Sequence, residues 1–218
     1  IKPVFILCEK PLAYSLDEAS EIIQICKENN AFLYVNYMRR VDPGVLEIKR
    51  RLDLDEQFNI FSGVVWYDKG ILHNGSHFSN IIEFWLGPII SHDLISKYKT
   101  KDQNDIIADV KFKFEKGSVL FLSSNDRNYT HHEIHLFNNN SCIRYEDSGS
   151  NIFWQRSQKS SNYVDYSILS NQKEFIPNSL NCIQYLVSDN IKKILDGESS
   201  SLCTGQQAYE TLISLLKI

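Results

Sequence analysis

Val4-Phe5-Ile6-Leu7-Cys8-Glu9-Lys10-Pro11 is the stretch that decides how this chain is read. Four apolar residues in a row predict a short buried parallel strand. The Glu-Lys-Pro turn follows at once. In open α/β sheets the ends of strands are where ligand chemistry sits. Beyond the turn, Ser15-Leu16-Asp17-Glu18 fits a capping box, with Ser at the N-cap and Glu three residues later. Ala19, Ile22, Ile23 and Cys26 continue at helical spacing, with Glu18, Glu21, Lys27 and Glu28 on the other side. Asn29-Asn30 stops the helix, and Ala31 to Val35 reads as a second apolar strand. Strand, helix and strand make a βαβ unit, right-handed by default. It reads as the last part of a doubly wound sheet. The sequence opens without Met, so structure is expected ahead of the first strand.

The remainder changes character. Asp42-Pro43 starts a helix with a cap and a proline at the first helical position. Val45, Ile48 and Leu52 form its buried stripe, and Lys49, Arg50 and Arg51 lie toward its C-terminus. Phe58 to Tyr67 reads as a strand, and Gly75 to Leu86 as a helix with Phe78, Ile81, Ile82 and Trp85 on its apolar face. Strand patterns dominate from Ile89 to Tyr145. Val110, Phe112 and Phe114 alternate with charged residues, and Lys116-Gly117 and Asn138-Asn139-Asn140 supply turns. Residues 147–176 are Ser- and Asn-rich and read as an irregular excursion with short strands. Two helices close the chain, from about Asn178 to Leu195, ending at Gly197, and from about Thr204 to Leu216. Leu180, Ile183, Val187, Ile191 and Ile194 form the stripe of the first. Trp85 and Trp154 read as core.

Composition excludes several classes. With 43% hydrophobic and 23% charged residues, this is an ordinary globular sequence. A net charge of −4, without a basic run interleaved with aromatics, argues against nucleic acid and acidic membranes. No apolar stretch approaches a membrane span, and no signal peptide is seen. The five cysteines include no CxxC pair, so they read as reduced thiols of a cytoplasmic protein. There is no GxGxxG, P-loop or GxSxG, and only nine glycines in all.

Three constellations could carry chemistry. Lys10, beside a proline, is a cation on a preset turn; the alternative is a surface lysine paired with Glu9. His73 and His77 bracket a turn, His73-Asn74-Gly75-Ser76-His77, that opens a helix. Asn74 is the expected cap, and the helix dipole favours neutral imidazole, fit to exchange a proton with a hydroxyl. A core histidine, or a metal site completed by Asp68 or Glu83, is the competing reading. Asn36-Tyr37-Met38-Arg39-Arg40 follows the second strand, where Arg39 and Arg40 suit a phosphate or an acidic substrate, or form a solvated turn. His131-His132-Glu133-Ile134-His135 is not HExxH and lies in a strand pattern, so its polar face reads as solvated or as an interface.

At these residues the sequence resembles the Gfo/Idh/MocA family of NAD(P)-dependent oxidoreductases. Cys8-Glu9-Lys10-Pro11-Leu12-Ala13 resembles its EKP motif, Val35 to Arg40 the next strand and turn, and Gly70 to Gly87 its active-site helix. The resemblance implies an α/β fold. Residues 1–40 would be the end of an incomplete dinucleotide-binding Rossmann domain. Residues 41–218 would be a substrate-binding and oligomerisation α+β domain, its large, mainly antiparallel sheet covered by helices on one face. It further implies Lys10 and His77 as catalytic residues. Substrate would be bound by His73, Asn74, Arg39 and Arg40, and NAD or NADP by Glu9, Lys10, Pro11 and Asn36, with no metal. The chain departs from the family at His73 and Asn80, where many members carry Asp.

The function so implied is the substrate-binding and catalytic part of an NAD(P)-dependent oxidoreductase. Hydride would pass between nicotinamide and a hydroxyl or carbonyl of a sugar, polyol or sugar nucleotide. The open sheet face implies a homo-oligomer. Without a glycine-rich loop the chain by itself is expected to be inactive. The alternative is a non-catalytic binding or assembly module on the same fold. A metal-dependent hydrolase using the histidines is the least favoured reading.

Overall fold

The structure, a computed structural model, describes residues 2–54, 60–99, 105–124 and 129–218. The expected strand start at Phe58 lies outside them. In chain order the elements are β1 (Phe5–Cys8), α1 (Leu16–Glu28), β2 (Phe32–Val35), α2 (Pro43–Leu54), β3 (Phe61–Tyr67), α3 (Ser76–Leu86), β4 (Ile89–Lys99), β5 (Ile106–Phe114) and β6 (Gly117–Ser123). These are followed by β7 (Glu133–Phe137), β8 (Ser141–Glu146), β9 (Asn151–Lys159), β10 (Ser167–Leu169), β11 (Glu174–Phe175), α4 (Ile183–Leu195), β12 (Cys203–Thr204) and α5 (Gly205–Leu216).

β1 and β2 pair in parallel, Phe5 opposite Phe32 and Cys8 opposite Val35, with α1 between them in sequence. Ser15 Oγ accepts the Glu18 N–H at 3.2 Å and starts α1 as its sequence dictates. The expectation of a fully buried first strand needs correction. All four β1 residues are only half-buried, and Phe32 is 51% exposed. β1 sits at the edge of this small sheet, whose order is β1-β2-β12, so one flank lacks a neighbour among the described residues. β12 pairs antiparallel with β2. Two residues carry no periodicity, so nothing in the sequence announced it.

The second sheet has nine strands, in the order β10-β9-β8-β7-β3-β6-β5-β4 with β11 also on β9. Every pairing is antiparallel except β3 with β6. Alternation decides its two faces. Val65, Val110, Phe112, Val119, Phe121, Ile134 and Leu136 point inward and are buried. Their neighbours Lys111, Lys113, Leu120 and Phe137 are exposed on the other face. The helices lie on the inner face, where Trp85 of α3 donates its Nε1–H to the Val45 carbonyl of α2 at 3.0 Å. Fully burying a side chain such as Phe112 contributes about 1.5–3 kcal/mol, so this layer holds the fold together. Residues 151–159, expected to be irregular, form a nine-residue strand of this sheet. Ile152 and Trp154 face the core, and the polar residues that suggested only short strands lie mostly on the outward positions.

The helix ends follow the sequence closely. Asp42 Oδ1 accepts the Gly44 N–H at 2.8 Å and caps α2, whose Val45, Ile48 and Leu52 are buried. Thr204 and Gln207 form a reciprocal capping box on α5. Gly197, at φ +79°, follows α4. All five cysteines are free thiols, and no helix of the described residues is long and apolar enough to cross a membrane.

Candidate active site

The ends of β1 and β2 bring Glu9, Lys10, Pro11 and Asn36 together. Asn36 Nδ2 donates to Glu9 Oε1 at 2.8 Å, and the Asn36 amide N–H to the Cys8 carbonyl at 2.8 Å. Asn36 is buried, and its Oδ1 has no hydrogen-bond partner among the described residues. A buried acceptor left open beside a carboxylate and a cation suits a ligand bearing hydroxyls. The Lys10–Pro11 bond is cis. Lys10 donates its ammonium hydrogen to the backbone carbonyl of His73. Burial lowers its pKa, opposed by the nearby charges of Glu9 and Asp105.

The helical turn that holds His73 begins earlier than the sequence suggested. The N–H groups of Asn74 and Gly75 both reach the Gly70 carbonyl, making a wide turn over Ile71–Gly75 that runs into α3. Asn74 is therefore inside the turn and is not its cap. Asp105 caps it, accepting the Leu72 N–H at 3.0 Å and the His73 N–H at 2.8 Å. Gly70 makes this possible. Its φ is +106°, and a Cβ there would come within 2.3 Å of the Asp105 carboxylate.

His77 lies in the first turn of α3, edge-on to buried Tyr37 with ring centroids 5.8 Å apart. Burial comes first, then the charges of Lys10 and Arg39, in pushing its pKa down to about 3. The imidazole is neutral as anticipated, but burial is the main reason, not the helix dipole. Its Nδ1 is buried without a hydrogen-bond partner among the described residues. Burial also lowers the His73 pKa, assisted by Lys10 and Lys69.

The Asn74 side chain donates to Asp68 Oδ1, which also accepts from His132 Nε2 at 2.7 Å. His132 Nδ1 lies 3.1 Å from Ser148 Oγ. The Ser148 carbonyl accepts from Arg39, whose guanidinium also donates to Tyr145 Oη at 2.8 Å. Arg39 thus joins the same network. Arg40 does not. A 3₁₀ turn over Met38–Val41 separates successive side chains by about a third of a revolution. Arg40 lies over the Phe84 ring, 4.4 Å from its centroid, and donates to Gln207 Oε1 at 3.1 Å. It lines a separate cleft of about 470 Å³ with Asn80, Glu83 and Thr211. Asn80 turns to Cys203 Sγ and Thr211 Oγ1, each at 3.4 Å.

The sequence offered Asp68 only as a ligand of the competing metal site and His132 only as part of a strand, and gave no sign of Asp105 or Ser148. His132 offered one signal, its position in phase with inward-facing Ile134 and Leu136. Among the described residues no group of three His, Cys, Asp or Glu side chains is arranged to hold a metal.

No family model matches the sequence. The chain is 40% identical over 55 residues to scyllo-inositol 2-dehydrogenase (NAD(+)) of Bacillus subtilis (strain 168). That segment is 25% of this chain, and it spans 16% of the relative's length. The fold is similar to that of UDP-N-acetylglucosamine 3-dehydrogenase GnnA from Acidithiobacillus ferrooxidans, with a TM-score of 0.75 at 12% identity, covering 97% of this chain and 69% of that one. It is also similar to aldose-aldose oxidoreductase from Caulobacter crescentus, with a TM-score of 0.73 at 12% identity, covering 98% and 68%. In its fold, the chain resembles the Gfo/Idh/MocA-type oxidoreductases.

Proposed function

We propose that this chain is the substrate-binding and catalytic part of an NAD(P)-dependent oxidoreductase of the Gfo/Idh/MocA family. Its substrate class is a sugar, polyol or sugar nucleotide. The observation that carries the reading is the bond from Lys10 to the His73 carbonyl, which sets a cation against the turn that leads to neutral, half-buried His77. The similar proteins add support, since they are dehydrogenases or oxidoreductases of a polyol, aldoses and a sugar nucleotide.

Glu9, Lys10 and Asn36 would hold the ribose end of a nicotinamide nucleotide, with the open Asn36 Oδ1 as acceptor. That nucleotide supplies the hydride acceptor or donor when bound. His77 takes the proton of the substrate hydroxyl as its carbon becomes a carbonyl, and returns it in the reverse direction. Lys10 hydrogen-bonds the same oxygen and steadies the negative charge developing on it. His73 and Asn74 would contact the substrate beside Lys10 and His77, and Arg39 would fit an acidic or phosphorylated substituent.

The described residues contain no glycine-rich cradle for a pyrophosphate, which favours a second reading, a binding or assembly module without redox activity. Titrating the chain with NADH and NADPH, and assaying sugars and polyols with NAD+ and NADP+, separates the two. With a glycine-rich nucleotide-binding half supplied to the chain, the oxidoreductase reading expects nucleotide binding, turnover of at least one polyol, and a loss of about a hundredfold or more in His77→Asn. Polyol binding with no nucleotide binding and no turnover in that completed protein would establish the module.

A further inference from the structure

We propose that Asp68 and His132 form a positioning pair for the turn carrying His73 and His77, and that His132 passes the same constraint to Arg39 through Ser148. This rests on the oxidoreductase reading for its purpose, but not for its test. Asp68 stands just past β3, His132 just before β7, and Ser148 in the corner between β8 and β9. Three separate segments therefore converge on one carboxylate and one ring. Asp68 Oδ1 accepts from both Asn74 and His132, so the Asn74 amide is held in one orientation and the turn is fixed from beneath. Phe78, next to His77 in sequence, packs its ring on His132 with centroids 5.1 Å apart. With Asp68 accepting at Nε2, the neutral His132 ring accepts the Ser148 hydroxyl at Nδ1.

The corner that supplies Ser148 is held in a costly shape. Asp147 and Ser148 have φ of +50° and +57°, both left-handed, and Gly149 follows at +99°. A Cβ at Gly149 would meet Tyr145 Oη at 2.2 Å. Such a backbone persists where its surroundings over-determine it, and here it delivers the Ser148 hydroxyl to His132 and its carbonyl to Arg39. Stability alone gives little reason for the pair, because apolar replacements of buried ionisable partners often hold a fold as well or better. Through Asn74 and Arg39 the pair instead reaches the two edges of the proposed pocket.

Imidazole and amide NMR on the labelled chain at neutral pH tests this, with a thermal melt on every variant. We expect His132 as the Nε2–H tautomer. Asp68→Asn and His132→Phe should shift the His77 ring signals and the amides of His73 to Gly75, leaving His92 on β4 unmoved. His132→Gln, which keeps a donor, should restore the His77 signals. Ser148→Ala should move the Arg39 guanidinium more than His77. If the His77 and turn signals stay in place in every variant that folds, the proposal is overturned, and a lowered melting temperature alone would assign the pair a purely structural role. No nucleotide or sugar is present in these samples, so this failure is distinct from a failed nucleotide titration.

Discussion

The Lys10 ammonium donates to the backbone carbonyl of His73, 63 residues further along the chain. A carbonyl fixes a cation without neutralising it, so two hydrogens and the full charge stay available to a substrate oxygen. Lys10→Met should lower kcat/KM by about a hundredfold, in line with the loss of one preorganised donor. Its urea midpoint should move little, because the side chain is only half-buried. Lys10→Arg should recover little activity, since a planar fork does not reproduce a compact ammonium. Near wild-type turnover in Lys10→Met would remove Lys10 from the chemistry.

Gly70 and Asp105 should prove coupled. Gly70→Ala places a Cβ 2.3 Å from the carboxylate at a left-handed φ, at a cost of about 1–3 kcal/mol. Asp105→Ala loses the cap on Leu72 and His73, about 1 kcal/mol. The double variant should cost less than the sum, because removing the carboxylate also removes the clash. Urea unfolding of the four proteins measures this, and strict additivity would show that the close approach is not what Gly70 serves.

His77 imposes a direction on the pH dependence of stability. Its ordinary pKa of 6.5 is pushed down to about 3 in the folded chain. Between those values the unfolded chain binds the extra proton, so stability is lost as pH falls below 6.5. His77→Gln, neutral throughout, should flatten the urea midpoint between pH 4 and 6.5, saving on the order of a few kcal/mol at the acid end. His73, His132 and His135, also lowered by burial, should leave a residual slope. An unchanged slope would mean that His77 is protonated in the fold. By the same linkage, the substrate-free chain should show no His77 titration between pH 5 and 8.

Much of this was legible because it is local. The capping residues Ser15 and Asp42, the stripe Val45-Ile48-Leu52 and the alternation through Val110-Phe112-Phe114 are written in neighbouring positions, and each forms what it spells. What stayed hidden is what only tertiary contact creates. Asp105 caps a turn more than thirty positions away, and His132 becomes Asp68's partner across 64. Adjacent Arg39 and Arg40 looked alike, yet their 3₁₀ turn sends one to Tyr145 and the other to Gln207. Residues 151–159 read as part of an irregular excursion with short strands because polar positions outnumbered the two apolar ones, Ile152 and Trp154, that fill the core.

We propose that the face of the nine-stranded sheet left uncovered among the described residues is where copies of this chain associate. Val64, Trp66, Leu120, Leu122 and Phe137 share that face by register, with Leu120 and Phe137 at 37% and 49% exposure. Exposed apolar residues grouped on one sheet face suit an interaction surface, here interspersed with Lys111, Glu133 and His135. Leu120→Asp with Phe137→Asp should convert a dimer or larger species to monomer in sedimentation velocity while the circular dichroism spectrum is kept. A wild-type chain that is already monomeric at tens of micromolar would end the idea.

Glu83 should act on stability in the sense opposite to His77. Burial lifts its pKa from 4.5 to about 7, although Thr211, the Ile89 backbone and Arg40 all favour the charged form. Between those values the folded state holds the proton that the unfolded chain has released, so stability falls as pH rises from 4.5 to 7. Glu83→Gln is neutral at every pH and keeps an oxygen to accept the Thr211 hydroxyl. At pH 5 the two proteins should unfold at similar urea concentrations. At pH 8 the Gln variant should be more stable by about 1–3 kcal/mol, because the wild type must ionise inside the fold. Arg40, which lines the same cleft, sets the size of the gap, and replacing it by Met should widen it. An equal difference at pH 5 and pH 8 would show that ionisation of Glu83 carries no cost, and that the cleft is wet enough to solvate a carboxylate.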